Sequence, residues 1–290
     1  MKILTWPSVY LLGRQTVQES ELDRFLLDHG VTWESDSEVA AEVLTETAGR
    51  TCYMSFAKPR PGGNAAYLGH IRESGHGSVL EHAVWNLLIT GISRSLSHEL
   101  VRHRAGFAYS QLSQRYVDES TAEYICPDII RGDPELYSIW YEAVRQVHGA
   151  YVELAERLAK KLEPDIRTCP KCGGDGDGPC GTVCEICDAG GQVCVSGIRD
   201  NTERRKAARQ ASRSVLPNAT ETKIFVTLNG RAARHFLEQR GSRHAEPEIR
   251  KLANVMFDIL LKESPNLFSD YTKIPLPDDT FEISTPYRKV

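Results

Sequence analysis

Six of the eight cysteines lie within thirty consecutive residues, 168–197, and this density constrains how that part of the chain can fold. Cys169 and Cys172 form one Cys-x-x-Cys pair, Cys184 and Cys187 form a second, and eleven residues separate the pairs. Nearby glycines permit the tight turns that such pairs need. Two thiolate pairs suit tetrahedral zinc with no open coordination position, which is typical of a structural site. We therefore predict a zinc-binding insertion over 168–197 with these four cysteines as ligands.

Other states of the thiols remain open from sequence. Cys180 or Cys194 could replace one of the four ligands, and the thiols could be free or joined in disulfides. The first residues, MKILTWPSVYLLGRQ, lack the features of a signal peptide, and no apolar run approaches the roughly 20 residues of a membrane span. We expect a cytoplasmic protein with no membrane contact, where metal binding is favoured over disulfides. The isolated Cys52 and Cys126 are expected to be buried small hydrophobic residues.

Helical and extended segments alternate along the rest of the chain. Apolar residues at three- and four-residue steps predict a long helix over 135–163, which Pro164 ends, and another over 247–263. Apolar runs rich in β-favouring residues predict buried strands over 82–92 and 220–229. Strands interspersed with helices place the fold in the α/β or α+β class. Weaker patterns predict a strand near 2–4 and helices over 20–29, 38–56 with a stop at Gly49, 65–74, 199–214 and 230–240.

Cationic and amide side chains cluster directly after the first apolar strand. A serine cap at position 93 or 95 predicts a helix to about Arg104, on which Glu99, Arg102 and His103 share a face. The stretch 102–116 contains no acid, whereas a solvated helix interleaves Glu with Arg. Guanidinium groups match phosphate oxygens and planar bases, and Gln and Ser supply directional hydrogen bonds. The stretch therefore favours a binding site for an anionic, heterocyclic ligand.

A second cationic cluster flanks the second apolar strand. Arg213 precedes that strand, and Asn229, Arg231, His235 and Arg240 follow it. Because each cluster lies next to an apolar strand, both could line one pocket. The chain has 35 Lys+Arg against 39 Asp+Glu and a net charge of -4, which argues against a whole-surface electrostatic contact with nucleic acid. Any basic site must therefore be local.

The string RHRAGFAYSQLSQRYV resembles the signature of the flavin-dependent thymidylate synthases, an Arg-His-Arg followed at short range by Ser, any residue and Arg. The resemblance continues in GHGSVLEH at 75–82 and ITGISRSLSHELVRHR at 89–104. It also covers SRSVLPNATETKIFVTLNGRAARHFLEQRGSRHAEPEIRKLA at 212–253. Several motifs in the family's order are far more specific than one short pattern.

The resemblance implies a fold, an activity and a set of cofactors. The fold would be a single domain over 1–290 with a central, mainly antiparallel sheet flanked by helices. The activity would be the reductive methylation of dUMP to dTMP, with 5,10-methylenetetrahydrofolate as carbon donor and NADPH as reductant through bound FAD. The family is typically a homotetramer whose active sites are shared between subunits. No nucleic-acid partner is expected.

The resemblance also assigns residues. Positions matching flavin contacts are Ser78, Arg102, His103, Arg104, Gln111, Asn229, Gly230, Arg231 and His235. Positions matching dUMP contacts are Glu99, Leu100, Val101, Arg102, Gln111, Leu112, Ser113, Gln114, Arg115, Arg213 and Arg240. His76 and Tyr116 match positions near the flavin and folate. Arg240 matches the position whose guanidinium stabilises the anionic uracil ring, and is the predicted catalytic residue.

The signature departs from the family pattern in two places. Eight residues, Ala105 to Leu112, separate Arg-His-Arg from Ser113 where the family usually has seven, and Ala108 stands where the family has a serine. Gly106 could absorb the extra residue by adopting a positive φ. Related pyrimidine-nucleotide methylases share the general signature with altered loops, so UMP is the alternative acceptor.

Two alternative functions from other classes remain open. One is a zinc-containing module that binds nucleic acid, although the cysteine pairs carry no basic residue beyond Lys171. The other is an inactive homologue that serves in assembly through its cysteine-rich insertion.

Overall fold

The computed structural model describes residues 1–58, 60–177 and 182–288. The strands are β1 (Lys2–Leu4), β2 (Ser8–Arg14), β3 (Val84–Ser93), β4 (Phe107–Gln111), β5 (Glu123–Ile125), β6 (Asp165–Thr168), β7 (Gln192–Ser196), β8 (Glu221–Asn229), β9 (Thr272–Pro275) and β10 (Phe281–Ser284). The α-helices are α1 (Glu19–Asp28), α2 (Ala40–Tyr53), α3 (Gly63–Glu73), α4 (Arg94–Leu100), α5 (Asp128–Arg131), α6 (Pro134–Lys161), α7 (Asn201–Ser212), α8 (Gly230–Arg240), α9 (Pro247–Glu263) and α10 (Pro265–Phe268).

The chain divides into two compact units. The first comprises Met1–Lys2, Ser113–Glu123 and Asp128–Thr220, and it contains the cysteine-rich segment. The second comprises Ile3–Leu112, Tyr124–Pro127 and Glu221–Val290, and it contains both apolar strands.

A four-stranded antiparallel sheet forms the centre of the second unit, with strand order β2-β3-β8-β4. Side chains alternate between the two faces of each strand, as strand geometry requires. Trp85, Leu87 and Ile89 of β3 are buried on one face, and Ile224 and Val226 of β8 are buried beside them. The mixed α/β class with a mainly antiparallel sheet, expected from the sequence, is confirmed.

Helices α8 and α9 contribute the other half of this core. Phe236 on α8 and Leu252 and Met256 on α9 are fully buried in the same hydrophobic cluster as the sheet residues. Burial of each such side chain contributes about 1.5–3 kcal/mol. Because α8 follows β8 directly, this packing fixes the end of α8 that carries Arg240.

The first unit is built on the long helix α6. Asp133 caps its first turn by accepting hydrogen bonds from the N–H groups of Glu135 at 2.9 Å and Leu136 at 3.1 Å. Helix α7 packs against α6. The antiparallel strand pair β6–β7 lies between these two helices in the sequence. None of the described helices has the length and hydropathy that a membrane span requires.

Two sequence expectations in α2 are wrong. Gly49 does not stop the helix, which continues to Tyr53 and ends with Met54 in the left-handed region. Gly49 instead allows close packing, because a Cβ there would lie 2.6 Å from the Tyr67 hydroxyl oxygen. Cys52 is exposed on this helix, whereas Cys126 is buried as expected.

Candidate active site

Helix α4 leads from the sheet into the arginine-rich turn. Ser93, at the end of β3, caps α4 by accepting a hydrogen bond from the Leu96 N–H at 3.0 Å. The helix ends at Leu100 rather than near Arg104, so the predicted helical face does not form. Arg102, His103 and Arg104 lie in a turn instead.

The turn is fixed by a tyrosine on the neighbouring strand. The Tyr109 hydroxyl of β4 lies 2.8 Å from the carbonyl oxygens of both Leu100 and His103. Burial raises the pKa of Tyr109, so this hydroxyl keeps its proton and remains a donor. The strand thus holds the backbone from which the three basic side chains extend.

Gly106 adopts a positive φ, as the sequence predicts. Its φ is +71°, in the left-handed region that favours glycine. A Cβ at this position would lie 2.7 Å from the side-chain amide of Asn229 and from the Ala232 Cβ. The Gly106 carbonyl accepts a hydrogen bond from the Asn229 N–H at 3.1 Å, so the loop packs on the start of α8.

The start of α8 is equally well defined. The Asn229 side-chain oxygen caps the helix by accepting from the Ala232 N–H at 2.8 Å. The Gly230 N–H donates to the Ala83 carbonyl at 2.8 Å. Arg231 forms a half-exposed ion pair with Glu81 at 2.7 Å. These contacts place the predicted flavin-binding residues of α8 beside the arginine-rich turn.

A cavity of about 420 Å³ lies between the turn and α8. It is lined by residues from both cationic clusters. They are Arg102, His103, Arg104, Ala105, Phe107, His235, Gln239 and Arg240. The clusters meet because β3 and β8, which they follow, are neighbours in the sheet. The prediction of a shared pocket is confirmed for these residues.

Arg240 is held by two side chains at the edge of this cavity. Its Nη1 lies 2.6 Å from Oε2 of Glu99, and its Nε lies 3.0 Å from Nε2 of His103. Because a guanidinium nitrogen only donates, His103 Nε2 must be the acceptor. His103 is therefore neutral, with its proton on Nδ1.

The surroundings of His103 stabilise this neutral form. Burial is the main cause that lowers the pKa of His103, and the neighbouring Arg240 and His235 lower it further, to about 4, against the opposite effect of Glu99. The imidazole therefore stays an acceptor for Arg240 at neutral pH.

Arg102 and Arg104 remain available for a ligand. Both are exposed, and within the described residues neither guanidinium has an ion-pair or hydrogen-bond partner. A cavity with two free cations, in a protein of net charge -4, attracts an anionic molecule. The residues present therefore suit an anionic dinucleotide cofactor such as FAD.

A larger cleft of about 760 Å³ has the opposite character. Its walls include Glu19, Asp23, Glu34 and Glu38. Four carboxylates disfavour the binding of a nucleotide or folate, which are anions. The smaller, basic cavity is the better candidate for the active site.

Four predicted nucleotide contacts belong to the first unit: Ser113, Gln114, Arg115 and Arg213. The Gln114 side chain is 6% exposed, yet its Nε2 has no partner within the described chain. Arg115 Nε is likewise buried without one. Buried donors without acceptors are rare in proteins and are typical of sites that a ligand completes.

Three cationic residues of the same unit lie at Tyr116, namely Arg115, Lys206 and Arg209. Lys206 Nζ lies 5.1 Å from the centre of the Tyr116 ring, and the Arg115 guanidinium lies 5.7 Å from it. Arg209 donates to the Tyr116 carbonyl at 2.7 Å and pairs with Asp118 at 3.1 Å. Sequence reasoning did not single out Lys206 or Arg209. Their spacing of three and then four residues, at positions 206, 209 and 213 of the basic segment, was the signal.

Other residues predicted to contact the ligands are engaged by protein groups or buried. The Gln111 amide donates to Ser97 at 2.9 Å and Thr222 at 3.2 Å, so it is engaged within the protein. The Leu100 side chain is fully buried in the core, and Val101 packs against that core. The Leu112 N–H donates to the Lys223 carbonyl at 2.9 Å.

His76 and Ser78 lie together before β3. The 3₁₀ turn Gly77–His82 carries Ser78, and His76 precedes it. Both side chains are exposed.

The four predicted zinc ligands form one cluster in the first unit. The Sγ atoms of Cys169, Cys172, Cys184 and Cys187 all lie within 4.8 Å of one another. The Sγ–Sγ distance is 3.7 Å between Cys169 and Cys184 and 3.6 Å between Cys172 and Cys187. Ligands 2.3 Å from a tetrahedral zinc ion are separated by about 3.8 Å. The donor set therefore fits zinc.

Backbone donors favour thiolates in this cluster. Hydrogen bonds from the N–H groups of Cys187 and Ile186 lower the pKa of Cys184 to about 7. The Gly174 N–H lowers the pKa of Cys172 in the same way, whereas burial raises that of Cys187 to about 12. A divalent cation would stabilise the whole set as thiolates.

Cys194, one of the two alternative ligands, does not join this cluster. Cys194 lies outside the four-thiol group, and its thiol donates to the Ser196 carbonyl at 3.2 Å. Cys180 lies outside the described residues.

Comparison with known proteins adds a family to this geometry. A family model described as "Thymidylate synthase complementing protein" matches residues 36–266. A solved structure described as a UMP/dUMP methylase PolB from Streptomyces cacaoi bound with 5-Br dUMP has a similar fold, with a TM-score of 0.59 and 17% identity. That likeness covers 93% of this chain and 96% of the other.

Curated relatives carry one name. A flavin-dependent thymidylate synthase of Mycobacterium sp. (strain JLS) is 46% identical over 264 residues, which are 90% of this chain and 92% of the relative. One of Corynebacterium diphtheriae is 40% identical over 274 residues, or 93% and 95% of the two chains. Because the family model spans most of the chain and such relatives match nearly all of it, the chain belongs to the flavin-dependent thymidylate synthase family.

Proposed function

We propose that this chain is a flavin-dependent thymidylate synthase that methylates C5 of dUMP to give dTMP. The carbon donor would be 5,10-methylenetetrahydrofolate and the reductant NADPH, through FAD. One observation carries the proposal: Arg102, Arg104, His235 and Arg240 line one cavity in a chain of this family.

Arg240 is the proposed catalytic residue. With Nε and Nη1 engaged by His103 and Glu99, its Nη2 keeps two N–H donors for a ligand. Uracil C5 is a poor nucleophile until electron density moves into the ring. A fixed guanidinium beside N3 and O4 would stabilise the resulting anion, because its orientation is set before substrate arrives. When bound, FAD would supply the reducing equivalents for the transfer.

The proposed cofactor site is the basic cavity with its surroundings. The residues that would hold FAD are Ser78, Arg102, His103, Arg104, Gln111, Asn229, Gly230, Arg231 and His235. Two free guanidinium groups, Arg102 and Arg104, support this assignment, since they can bind diphosphate oxygens bidentately. His76 and Tyr116 would lie near the flavin and folate.

The proposed nucleotide site consists of the residues that match dUMP contacts in the family. Those that would contact dUMP are Glu99, Leu100, Val101, Arg102, Gln111, Leu112, Ser113, Gln114, Arg115, Arg213 and Arg240. The buried donors of Gln114 and Arg115 support it, because a phosphate would supply the acceptors they need. The buried Leu100 could contribute only through its backbone.

A spectroscopic experiment tests the cofactor. The purified protein should be yellow, with a flavin spectrum that NADPH bleaches and dUMP perturbs. NADH provides the comparison that identifies the reductant. A protein that is colourless and takes up no added FAD would favour the nucleic-acid-binding or inactive alternatives.

A second experiment identifies the acceptor. Tritium release from C5-labelled dUMP, compared with C5-labelled UMP, measures methylation at the ring carbon for each nucleotide. We expect release from dUMP only. Release from UMP alone would establish the ribonucleotide as substrate, for which the longer loop at Gly106 is the structural reason to test.

We also propose that Cys169, Cys172, Cys184 and Cys187 bind zinc. A zinc ion with four thiolate ligands has no open coordination position, so its role would be structural. It would join the two Cys-x-x-Cys turns, which are already linked by an exposed ion pair between Lys171 and Glu185 at 2.8 Å.

Metal analysis of reductively purified protein tests the zinc site. We expect close to one zinc per chain in the wild type and its loss in Cys184→Ser. Cys194→Ser is the matched control, because that thiol lies outside the cluster and should leave the zinc content unchanged. Wild-type protein without stoichiometric zinc would rule the site out.

We further propose a homotetrameric, cytoplasmic enzyme in which residues 1–290 form one catalytic domain with the insertion at 168–197. The long helix α6 supports self-association, because Leu136, Ile139 and Leu154 are exposed on it. The free thiols of the cysteine cluster suit a reducing compartment.

A further inference from the structure

Tyr109 extends from β4 to the end of α4. The register of β4 pairs it with Val226 of β8, which is fully buried, so the Tyr109 ring lies on the core face of the sheet and packs against the hydrophobic core. Its hydroxyl lies 2.8 Å from the carbonyl oxygen of Leu100, the last residue of α4, and 2.8 Å from that of His103. One tyrosine therefore spans the turn that carries His103.

These contacts satisfy carbonyl groups at the end of α4. The last carbonyls of a helix have no partner within the helix. The Leu100 carbonyl accepts from the His103 N–H at 3.1 Å as well as from the Tyr109 hydroxyl. A hydroxyl has one hydrogen to donate, and the carbonyls of Leu100 and His103 share it, so the two peptide groups are held close together. The backbone of His103 is thus fixed relative to α4.

Aromatic rings fix the imidazole of His103. Ring centres at 5.2, 5.8 and 5.9 Å from its own belong to Phe236, His235 and Phe107. Phe107 is itself stacked on Tyr109, with ring centres 5.6 Å apart and ring planes at 7°. Tyr109 therefore supports the backbone of His103 directly and its ring through Phe107.

We propose that Tyr109 is a positioning residue of the active site, which acts on the guanidinium of Arg240 through His103. This inference rests on the proposed role of Arg240 in methyl transfer. His103 Nε2 accepts from Arg240 Nε at 3.0 Å, and this hydrogen bond needs the imidazole in its place, because hydrogen bonds weaken steeply when bent. By holding His103, the Tyr109 hydroxyl sets the direction in which Nη2 of Arg240 can donate to a pyrimidine.

Tyr109→Phe tests the hydroxyl alone, because it keeps the ring that stacks on Phe107. Without the hydroxyl the turn can shift, and the guanidinium of Arg240 loses part of its fixed orientation. The single-turnover rate of dTMP formation by flavin-loaded protein should fall roughly tenfold to a hundredfold, because small misplacements of a catalytic group are costly. The KM for dUMP should change less than about threefold, since contacts made equally in the ground and transition states remain.

Tyr271→Phe is the matched control. Tyr271 is a buried tyrosine of the same unit that does not line the basic cavity, and its hydroxyl also donates to a backbone carbonyl, that of Arg234, at 3.1 Å. If both hydroxyls were merely structural, both variants would lose thermal stability and keep the wild-type rate. The positioning role predicts that only Tyr109→Phe loses rate. In a His103→Ala background Tyr109→Phe should cause no further loss, because its effect passes through His103.

Nitrogen NMR of the histidine imidazoles separates this inference from the proposed function, because it needs no turnover. In wild type, His103 should give the signal of a neutral ring protonated on Nδ1, identified by its absence in His103→Gln. Tyr109→Phe should move or broaden this signal, and Tyr271→Phe should leave it in place. An unchanged His103 signal in Tyr109→Phe, or a wild-type rate in that variant, would overturn the inference. Absence of any dTMP formation by wild type would instead contradict the proposed function, and the NMR signal would still decide the role of Tyr109.

Discussion

His103 accepts a hydrogen bond from Arg240, and this contact persists only while the imidazole is neutral. The fold secures that state by partly burying His103 beside Arg240 and His235, so that its pKa falls to about 4. One histidine thereby orients the arginine to which we assign the chemistry. Keeping His103 neutral in the folded protein lowers the free energy of unfolding at low pH.

The stability of the protein should show this cost. The unfolded chain binds a proton at His103 near pH 6.5, whereas the folded chain does so only near 4, so the free energy of unfolding should rise with pH across that window. His103→Gln keeps an acceptor for Arg240 but removes the titration. Its stability should therefore depend less steeply on pH, by about 1–2 kcal/mol between the two ends of the window.

Urea unfolding of flavin-free protein at several pH values measures this difference. His244→Gln, which removes an exposed imidazole, should retain the wild-type dependence. A wild-type slope in His103→Gln would show that His103 titrates normally and does not accept from Arg240.

Among the structural elements, the turn between α4 and β4 contacts the start of α8, and this turn and α8 line the cavity. Gly106 packs on Asn229 and Ala232 of the α8 start, and any side chain there would displace the Asn229 amide that caps α8. The turn therefore requires a glycine at this position.

Gly106→Ala should disturb both the cap and the cavity. Strain at positive φ and the clash with Asn229 should cost about 1–3 kcal/mol of folding stability. The flavin content should also fall, because Asn229 and Arg231 are proposed cofactor contacts. Thermal unfolding and the flavin absorbance of the purified protein measure the two effects. Gly149→Ala, at a helical glycine of α6 where a Cβ would meet nothing within 4 Å, should lower neither, and an unaffected Gly106→Ala would contradict the packing argument.

The elements that could be predicted from sequence are those whose signal is local. Helix α8 has the predicted bounds, since Asn229 caps it, and α9 has an apolar stripe along its whole length. Strand β2 was not predicted from sequence. Its residues alternate between half-buried and exposed positions, but this alternation arises from pairing with β3 and is not a pattern of apolar and polar residue types. The stop at Gly49 was wrong because tertiary packing against Tyr67 outweighs the low helix propensity of glycine.

For the candidate site, too, one part could be predicted from sequence and another could not. Its residue types could be predicted, because a stretch without acids and with several guanidinium groups is rare on a solvated surface. The network of Glu99, His103 and Arg240 could not, because it depends on the end of α4 at Leu100 and on contacts between residues far apart in sequence.

At the scale of the whole molecule, positive charge is concentrated where the proposed ligands bind. The net charge is -4, yet Arg102 and Arg104 lie without partners among the described residues at the cavity. Such a distribution would favour the approach of an anionic ligand to this cavity. The exposed apolar side chains of α6 provide a second surface, suited to contact between subunits.

The proposed assembly should depend on that surface. Ile139 is 69% exposed, so Ile139→Lys should leave the fold intact and weaken association between subunits. Light scattering after size exclusion should give a smaller mass for this variant than for wild type. Gln146→Lys adds the same charge at an exposed polar position of α6 and should keep the wild-type mass. An unchanged mass in Ile139→Lys would exclude this face from the interface.

The central claim is that Arg240, fixed by Glu99 and His103, enables methyl transfer to dUMP in a flavin-loaded cavity. A single-turnover reaction with FAD reduced in advance, dUMP and methylenetetrahydrofolate tests it most directly, with dTMP measured by mass spectrometry. The wild type should form dTMP in proportion to its bound flavin. Arg240→Ala should retain flavin and form at least a hundredfold less, since loss of one transition-state charge contact costs about 3 kcal/mol. Formation of dTMP at the wild-type rate by Arg240→Ala would contradict the account.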